Sequence, residues 1–185
     1  MRVITGTARG RRLKELDGME TRPTTDKVKE SLFSIIQFDI EGRRVLDLFA
    51  GTGQLGIEAL SRGAASCVFI DQRNDAVALI RENVALCGFD DRAHIRRGEA
   101  LSYLQSGEKF DLIFLDPPYD SGLLPAALEK IAGFDICRAH GIIVAESRAD
   151  DVLPPLAPPY GIYRTYRYGR IRLTVYHRDG NKEEA

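Results

Sequence analysis

From Arg44 onward, short apolar stretches alternate with segments of helical periodicity, and few folds are compatible with that alternation. The apolar stretches predict strands, and the segments between them predict helices. Strands that are apolar on both faces and alternate with helices form parallel sheets covered on both sides. We therefore predict a doubly wound α/β fold, whose first five strands are Val45–Phe49, Cys67–Ile70, Ala93–Arg97, Phe110–Leu115 and Gly141–Ala145.

Both ends of the chain depart from this alternation. Residues 22–26 predict a turn and a helix cap, and apolar side chains at helical spacing follow over residues 28–36. Near the other end, Gly161–Arg167 and Arg170–His177 alternate polar and apolar residues around a turn, which predicts an antiparallel hairpin. A doubly wound, mostly parallel sheet of seven strands that closes with a hairpin is typical of Rossmann-like methyltransferases.

Length and composition favour one compact unit. The chain has 185 residues, of which 44% are hydrophobic, and no apolar run approaches the roughly 18 residues of a membrane span. We expect a basic arm and helix over residues 1–40, packed on a catalytic domain over 41–179, with a flexible tail at 180–185. Three unpaired cysteines and the lack of an apolar leader favour the cytoplasm, and we expect a monomer.

The formal net charge of −1 hides an uneven distribution. Residues 1–14 and residues 160–178 each carry five basic side chains and no acidic one. The rest of the chain holds 16 of the 26 basic residues and all 27 acidic ones, a balance of −11. Two basic segments in an otherwise acidic chain predict a polyanionic partner.

A nucleotide-binding pattern follows the first predicted strand. Gly51, Gly53 and Gly56 have the spacing G-x-G-x-x-G, and Asp71 follows at the end of the next strand. Glycines let the backbone approach a ligand closely, and a carboxylate in that position accepts hydrogen bonds from both ribose hydroxyls. Any adenosine cofactor would satisfy this pattern.

Two further features favour S-adenosylmethionine over a dinucleotide. Asp47 lies four residues before the first glycine, where its carboxylate could hold a cationic ammonium. Asp116-Pro117-Pro118-Tyr119, hereafter the tetrad, follows the fourth strand, and hydride transfer needs no such group. The predicted cofactor-binding residues of the main domain are Asp47, Phe49, Ala50, Gly51, Thr52, Gly53, Asp71, Gln72, Glu99 and Ala100.

The tetrad fits methyl transfer to the exocyclic amine of a nucleic-acid base. That amine is a poor nucleophile because its lone pair is delocalised into the ring. The Asp116 carboxylate and the Pro117 carbonyl can each accept one of its hydrogens, which aims the lone pair at the methyl group. Pro117 and Pro118 stiffen the turn, and Tyr119 can stack on a base that is flipped out or unpaired.

Together these stretches resemble the bacterial 16S rRNA guanine-N2 methyltransferases of the RsmD type. The resemblance also covers the amino-terminal stretches 2–6, 9–11 and 22–33. It implies methylation of one guanine in small-subunit rRNA, a cofactor or target contact by Thr24, and a basic arm that is disordered without RNA. The RNA-binding residues that we predict are Arg2, Arg9, Arg11, Arg12, Lys14, Arg22, Arg164, Arg167 and Arg170.

Three alternatives stay open on the sequence. A DNA or RNA adenine-N6 methyltransferase would share the cofactor and the tetrad. An NAD(P)-dependent oxidoreductase would use the glycine pattern but leaves the tetrad unexplained. A catalytically silent RNA-binding or ribosome-assembly factor would keep the fold, although its glycine loop and tetrad would then not need to be intact. The three histidines have no metal-ligand spacing, so we predict no metal.

Overall fold

The computed structural model describes residues 1–16 and 26–180 and divides into two compact units, Met1–Ala100 and Leu101–Ala185. Within these residues the chain forms seven strands, five α-helices and one 3₁₀ turn. The strands are β1 Arg44–Asp47, β2 Ser66–Asp71, β3 Ala93–Arg97, β4 Phe110–Leu115, β5 Cys137–Arg148, β6 Tyr160–Tyr168 and β7 Ile171–Arg178. The helices are α1 Asp26–Ile35, α2 Gln54–Ser61, α3 Asn74–Cys87, α4 Ala100–Tyr103 and α5 Leu123–Gly133, and the 3₁₀ turn is Leu104–Ser106.

The first unit contains the parallel pairs β1 with β2 and β2 with β3. Helix α2 packs closely on β2 because Gly56 has no side chain. A Cβ atom at Gly56 would lie 2.3 Å from Cε1 of Phe69 and 2.7 Å from Sγ of Cys67. The third glycine of the predicted pattern therefore serves helix–strand packing, as in nucleotide-binding folds.

The second unit contains the parallel pair β4 with β5 and the antiparallel pairs β5 with β7 and β7 with β6. The hairpin turns at Gly169, whose φ of +59° is the left-handed conformation that glycine adopts without strain. The seven strands form one sheet in the order β3-β2-β1-β4-β5-β7-β6. The predicted mostly parallel α/β sheet with an antiparallel carboxyl-terminal hairpin is confirmed.

Strand β5 is longer than the prediction of Gly141–Ala145. It begins at Cys137, and its pairing with β4 shifts register between Phe110 and Leu112. The three residues 138–140 are exposed, and His140 has a φ of +61°. These polar residues interrupt the apolar pattern, so periodicity located only the buried half of the strand.

The amino-terminal segment, residues 1–14, folds back on itself and docks on α2. The Val3 amide donates to the Arg11 carbonyl at 2.9 Å, and the Gly10 amide donates to the Val3 carbonyl at 2.9 Å. The Thr7 amide donates to the Ser61 carbonyl at 2.8 Å. The expectation of a disordered basic arm is wrong for this segment, because its backbone is hydrogen-bonded to itself and to a helix.

Gly6 explains how closely the segment approaches α2. A Cβ atom at Gly6 would lie 1.8 Å from the Ser61 carbonyl oxygen, and the φ of Gly6 is +88°.

The boundary that we predict at residue 40 is not tested by these contacts and stays a prediction. Within residues 1–16 and 26–180, no helix combines the length and hydrophobicity needed to cross a membrane.

Candidate functional site

The glycine loop after β1 is held by the carboxylate at the end of β2. The Gly51 amide donates to Oδ2 of Asp71 at 2.9 Å, and the Arg73 amide donates to Oδ1 at 2.9 Å. Gly51 and Gly53 have φ values of +56° and +79°, which glycine adopts without strain. Asp71 thus fixes the loop through one oxygen and the start of the next segment through the other.

Asp47 lies in the core beneath this loop. Its side chain is buried, and its Oδ2 accepts a hydrogen bond of 3.0 Å from the Gly56 amide in the first turn of α2. Burial raises the pKa of Asp47 from 3.8 to about 7, and the nearby Asp71 carboxylate also raises it, whereas the Gly56 bond lowers it. Asp47 therefore caps α2 and is an acceptor that favours a cationic neighbour.

The raised pKa predicts a pH-dependent stability. Because the folded protein binds this proton more tightly than the unfolded chain, the contribution of Asp47 is fully present below pH 4 and lost as the pH rises through about 7. Each unit of pKa shift is worth roughly 1.4 kcal/mol. In urea titrations, we expect the stability of Asp47→Asn relative to the wild type to increase from pH 4 to pH 7. A stability difference that stays constant over this range would contradict the prediction.

The surroundings of the loop fit a polar ligand. The buried Gln54 Oε1 atom has no hydrogen-bond partner within the described part of the chain. A Cβ atom at Gly51 would meet no protein atom within 4 Å, so the backbone there is open to close approach. The carbonyl of the buried Thr52 accepts a hydrogen bond of 3.0 Å from the buried Asn83 side chain, which anchors the loop to α3.

The remaining predicted cofactor residues differ in exposure. Ala50 and Ala100 are buried, Phe49 is half-buried, and Gln72 and Glu99 are exposed. The Ala50 amide donates to the Ile70 carbonyl at 3.0 Å, so this residue extends the pairing of β1 with β2. Thr24, which the resemblance implicates, lies outside the described residues.

The tetrad directly follows β4. Pro117 is buried, Pro118 is exposed, and Asp116 and Tyr119 are half-buried. The Pro118 carbonyl accepts a hydrogen bond of 2.6 Å from the Ser121 hydroxyl, which closes the turn. Two prolines and this hydrogen bond restrict the backbone, so the tetrad is a rigid acceptor-bearing turn.

Two residues at the end of β5 hold the Tyr119 side chain. Its hydroxyl donates to Oε1 of Glu146 at 3.1 Å, and the Arg148 guanidinium lies 5.6 Å from the centroid of its ring. Arg148 also forms an ion pair with Asp120. A base that stacks on Tyr119 would use the ring face opposite Arg148.

A cavity of about 240 Å³ opens beside the tetrad. Its lining includes Pro117, Tyr119, Leu124, Glu146 and Val152, all in the second unit. The volume is below the roughly 300–1,000 Å³ of pockets that bury drug-sized ligands, so it suits one flat ring system.

The predicted basic residues are exposed where the structure describes them: Arg2, Arg9, Arg11, Arg12, Lys14, Arg164, Arg167 and Arg170. Arg22 lies outside the described residues. Among the residues described, Arg9, Arg11 and Arg12 have no carboxylate partner, whereas Lys14 pairs with Glu82 at 2.6 Å.

The charge count over residues 160–178 overstates the free positive charge. Arg178 is buried and pairs with Asp135 at 2.7 Å, and the Arg172 guanidinium donates to the Asp151 carbonyl at 2.6 Å. The Arg178 guanidinium holds the pKa of Asp135 down to about 2. Arg167 also pairs with the exposed Asp150 at 3.4 Å, so three of the five arginines have partners within the second unit.

Sequence reasoning missed Glu146 and Asn83. Both are buried polar residues that hold predicted site residues, Tyr119 and Thr52 respectively. A polar residue inside an otherwise apolar strand or helix face is a usable signal, because burying it without a partner is costly. Among the described residues, no group of three or more His, Cys, Asp or Glu side chains could hold a metal ion.

A glycine loop after β1, a carboxylate ending β2 and the tetrad after β4, on this sheet topology, define a Rossmann-like methyltransferase. More narrowly, the chain belongs to the family described as Conserved hypothetical protein 95, whose model matches residues 1–177.

Individual relatives cover nearly the whole chain. YlbH of Bacillus subtilis (strain 168) is 41% identical over 97% of this chain and 100% of its own. The Ribosomal RNA small subunit methyltransferase D of Escherichia coli (strain K12) is 32% identical over 99% of this chain and 92% of its own. The solved structure of yhhF from Escherichia coli is 31% identical, with a TM-score of 0.88 over 97% of this chain and 98% of that one. These matches confirm the predicted resemblance to the RsmD type.

Proposed function

We propose that this protein transfers a methyl group from S-adenosylmethionine to N2 of a guanine in small-subunit rRNA. The observation that carries the proposal is the rigid tetrad after β4, whose tyrosine is fixed by Glu146. Membership in a family with rRNA methyltransferases supports the rRNA substrate, and the full-length relative named for the small subunit supports the 16S rRNA.

The cofactor is S-adenosylmethionine. When bound, it supplies an electrophilic methyl group on a sulfonium. Asp71 accepts hydrogen bonds from its ribose hydroxyls, and Asp47 favours its cationic amino acid end. The open backbone at Gly51 and the unpaired Gln54 oxygen support a polar ligand at this loop. Phe49, Thr52, Gln72, Glu99 and Ala100 complete the proposed cofactor residues, and Glu99 accepts from the adenine amine.

The tetrad prepares the acceptor amine. The Asp116 carboxylate and the Pro117 carbonyl each accept one hydrogen of the amine, which bends the nitrogen toward tetrahedral geometry and frees its lone pair. As the new N–C bond forms, the nitrogen becomes acidic, and Asp116 takes the departing proton. Tyr119 stacks on the flipped base, and its hydroxyl cannot swing away because it is bonded to Glu146.

In a direct test, the protein is incubated with labelled S-adenosylmethionine and with purified small or large ribosomal subunits that lack base methylation. We expect stoichiometric label in the rRNA of the small subunit and only background label in that of the large subunit. Label confined to the large subunit would contradict the proposed substrate.

The exposed arginines of the amino-terminal segment supply the phosphate contacts. Each contact releases counterions, so log Kd changes with log salt concentration by about 0.7–0.9 per contact. We expect Arg9→Ala/Arg11→Ala/Arg12→Ala to weaken small-subunit rRNA binding and to reduce this slope by about 2–3, measured by filter binding across a salt series.

A matched control for this variant is Arg43→Ala. Arg43 pairs with Asp39 at 3.8 Å, so its charge is already balanced within the protein. We expect its slope to equal that of the wild type. A triple variant with an unchanged slope would exclude the amino-terminal segment from RNA binding.

A further inference from the structure

The cavity beside the tetrad contains an acidic group that the transfer chemistry does not use. Glu146 lies at the carboxyl end of β5, and only 5% of the residue is exposed. Its side chain lines the cavity together with Pro117 and Tyr119. A buried carboxylate is costly unless it receives hydrogen bonds, so the side chain of Glu146 is held in a defined position on the cavity wall.

The Tyr119 hydroxyl gives this carboxylate a fixed position. It donates to Oε1 at 3.1 Å, while Arg148 covers the ring of the same tyrosine. Because an ionised carboxylate only accepts hydrogen bonds, Glu146 presents an acceptor to whatever enters the cavity. The rest of the wall mixes apolar side chains, such as Leu124, with polar ones, which include Asp120 and Asp151. Glu146 is the buried carboxylate among them, because Asp120 is exposed and Asp151 half-buried.

The two bases that carry an exocyclic amine beside ring nitrogen N1 differ at that nitrogen. In guanine the 2-amino group neighbours N1–H, which is a donor. In adenine the 6-amino group neighbours N1 with a lone pair, which is an acceptor. A fixed carboxylate next to the reacting amine therefore attracts guanine and repels adenine. With adenine, the carboxylate oxygen and N1 would be two buried acceptors facing each other, and neither would receive a hydrogen bond.

We propose that Glu146 is the residue that selects guanine, by accepting the N1–H hydrogen bond while the tetrad holds the 2-amino group. This selection rests on the proposed function, in which guanine N2 is the acceptor. Tyr119 then has two tasks, because it stacks on the base and also fixes the carboxylate that recognises the edge of that base.

The test compares two bases at the methylated position of small subunits reconstituted with ligated rRNA. One carries guanosine, and the other carries 2-aminopurine riboside, which keeps the 2-amino group but has a lone pair at N1. We expect the wild type to prefer guanosine in kcat/KM by roughly 10- to 100-fold. Equal rates on the two bases would overturn the proposal, whether or not any variant folds.

The variant Glu146→Gln separates recognition from a structural role. Its amide can donate to the N1 lone pair of 2-aminopurine, so we expect the preference to shrink at least about tenfold or to invert. Equal losses on both bases would assign Glu146 a purely structural role and overturn the proposal. Thermal unfolding and affinity for S-adenosylhomocysteine verify that the variant is folded.

A control and an internal standard complete the experiment. Glu129→Gln changes an exposed carboxylate on α5 outside the cavity, and we expect it to keep the wild-type rates and preference. The wild-type reaction on guanosine separates the proposed function from the proposed role of Glu146. No transfer to guanosine contradicts the proposed function, whereas transfer without preference contradicts only the role of Glu146.

Discussion

Asp116→Ala should abolish methyl transfer while the affinity for S-adenosylmethionine stays within a few-fold of the wild type. In the proposed mechanism the carboxylate accepts a hydrogen of the acceptor amine and takes its proton, and positioned acid–base groups of this kind contribute roughly 10²- to 10⁴-fold to a rate. Asp116→Asn keeps one oxygen acceptor and loses the charge, so its transfer rate should lie between those of the wild type and Asp116→Ala. Single-turnover transfer and calorimetric titration of the cofactor measure the two quantities separately.

Asp111→Asn is the matched control for this series. Asp111 lies near the other end of β4 and pairs with Arg138 at 3.3 Å. We expect wild-type transfer from it. Asp116→Ala with a normal rate would remove Asp116 from the reaction, and parallel loss of rate and cofactor affinity would make it a support of the cofactor pocket.

Glu58→Ala should lower the free energy of unfolding by about 3–5 kcal/mol, because it leaves a buried charge without its partner. The side chains of Glu58 and Lys29 are both fully buried, and their charged atoms lie 4.0 Å apart. Burial lowers the pKa of Lys29, and the Glu58 carboxylate counteracts this by raising it. Glu58 also accepts backbone hydrogen bonds from Ile4 at 2.8 Å and Thr5 at 3.0 Å.

Urea denaturation of three variants tests this account of the buried pair. The double variant Glu58→Ala/Lys29→Met removes both fully buried charges, and we expect it to recover only part of the lost stability, because Arg62 also pairs with Glu58 at 2.8 Å. Glu82→Ala breaks the exposed pair with Lys14, which should cost at most about 1 kcal/mol. If Glu58→Ala cost no more than Glu82→Ala, the buried pair would not be what docks the amino-terminal segment on α2.

The sequence predicted the sheet well because its signals are local. Strands β1, β2 and β4 are short, largely apolar runs next to a turn, and the hairpin of β6 and β7 alternates around Gly169. Strand β5 was only half located, because the exposed residues 138–140 interrupt its apolar run. The docked amino-terminal segment was missed because its partners lie on α2, more than 50 residues away.

The candidate site was predictable where chemistry follows a motif and not where it depends on tertiary pairing. The glycine loop with Asp71 and the tetrad follow strands directly, and the structure has each at the end of its predicted strand. Glu146 is 27 residues from Tyr119, so nothing in the sequence joins them. Likewise, the sequence alone counts Arg178 as a free basic residue, because its partner Asp135 lies 43 residues earlier in the chain.

The central claim is methylation of guanine N2 in small-subunit rRNA, and nucleoside analysis of the product tests it most directly. Small subunits that lack base methylation are incubated with the wild-type protein and S-adenosylmethionine, and their rRNA is digested to nucleosides and resolved by mass spectrometry. We predict one N2-methylguanosine per subunit. N6-methyladenosine in its place would contradict both the proposed acceptor and the role of Glu146.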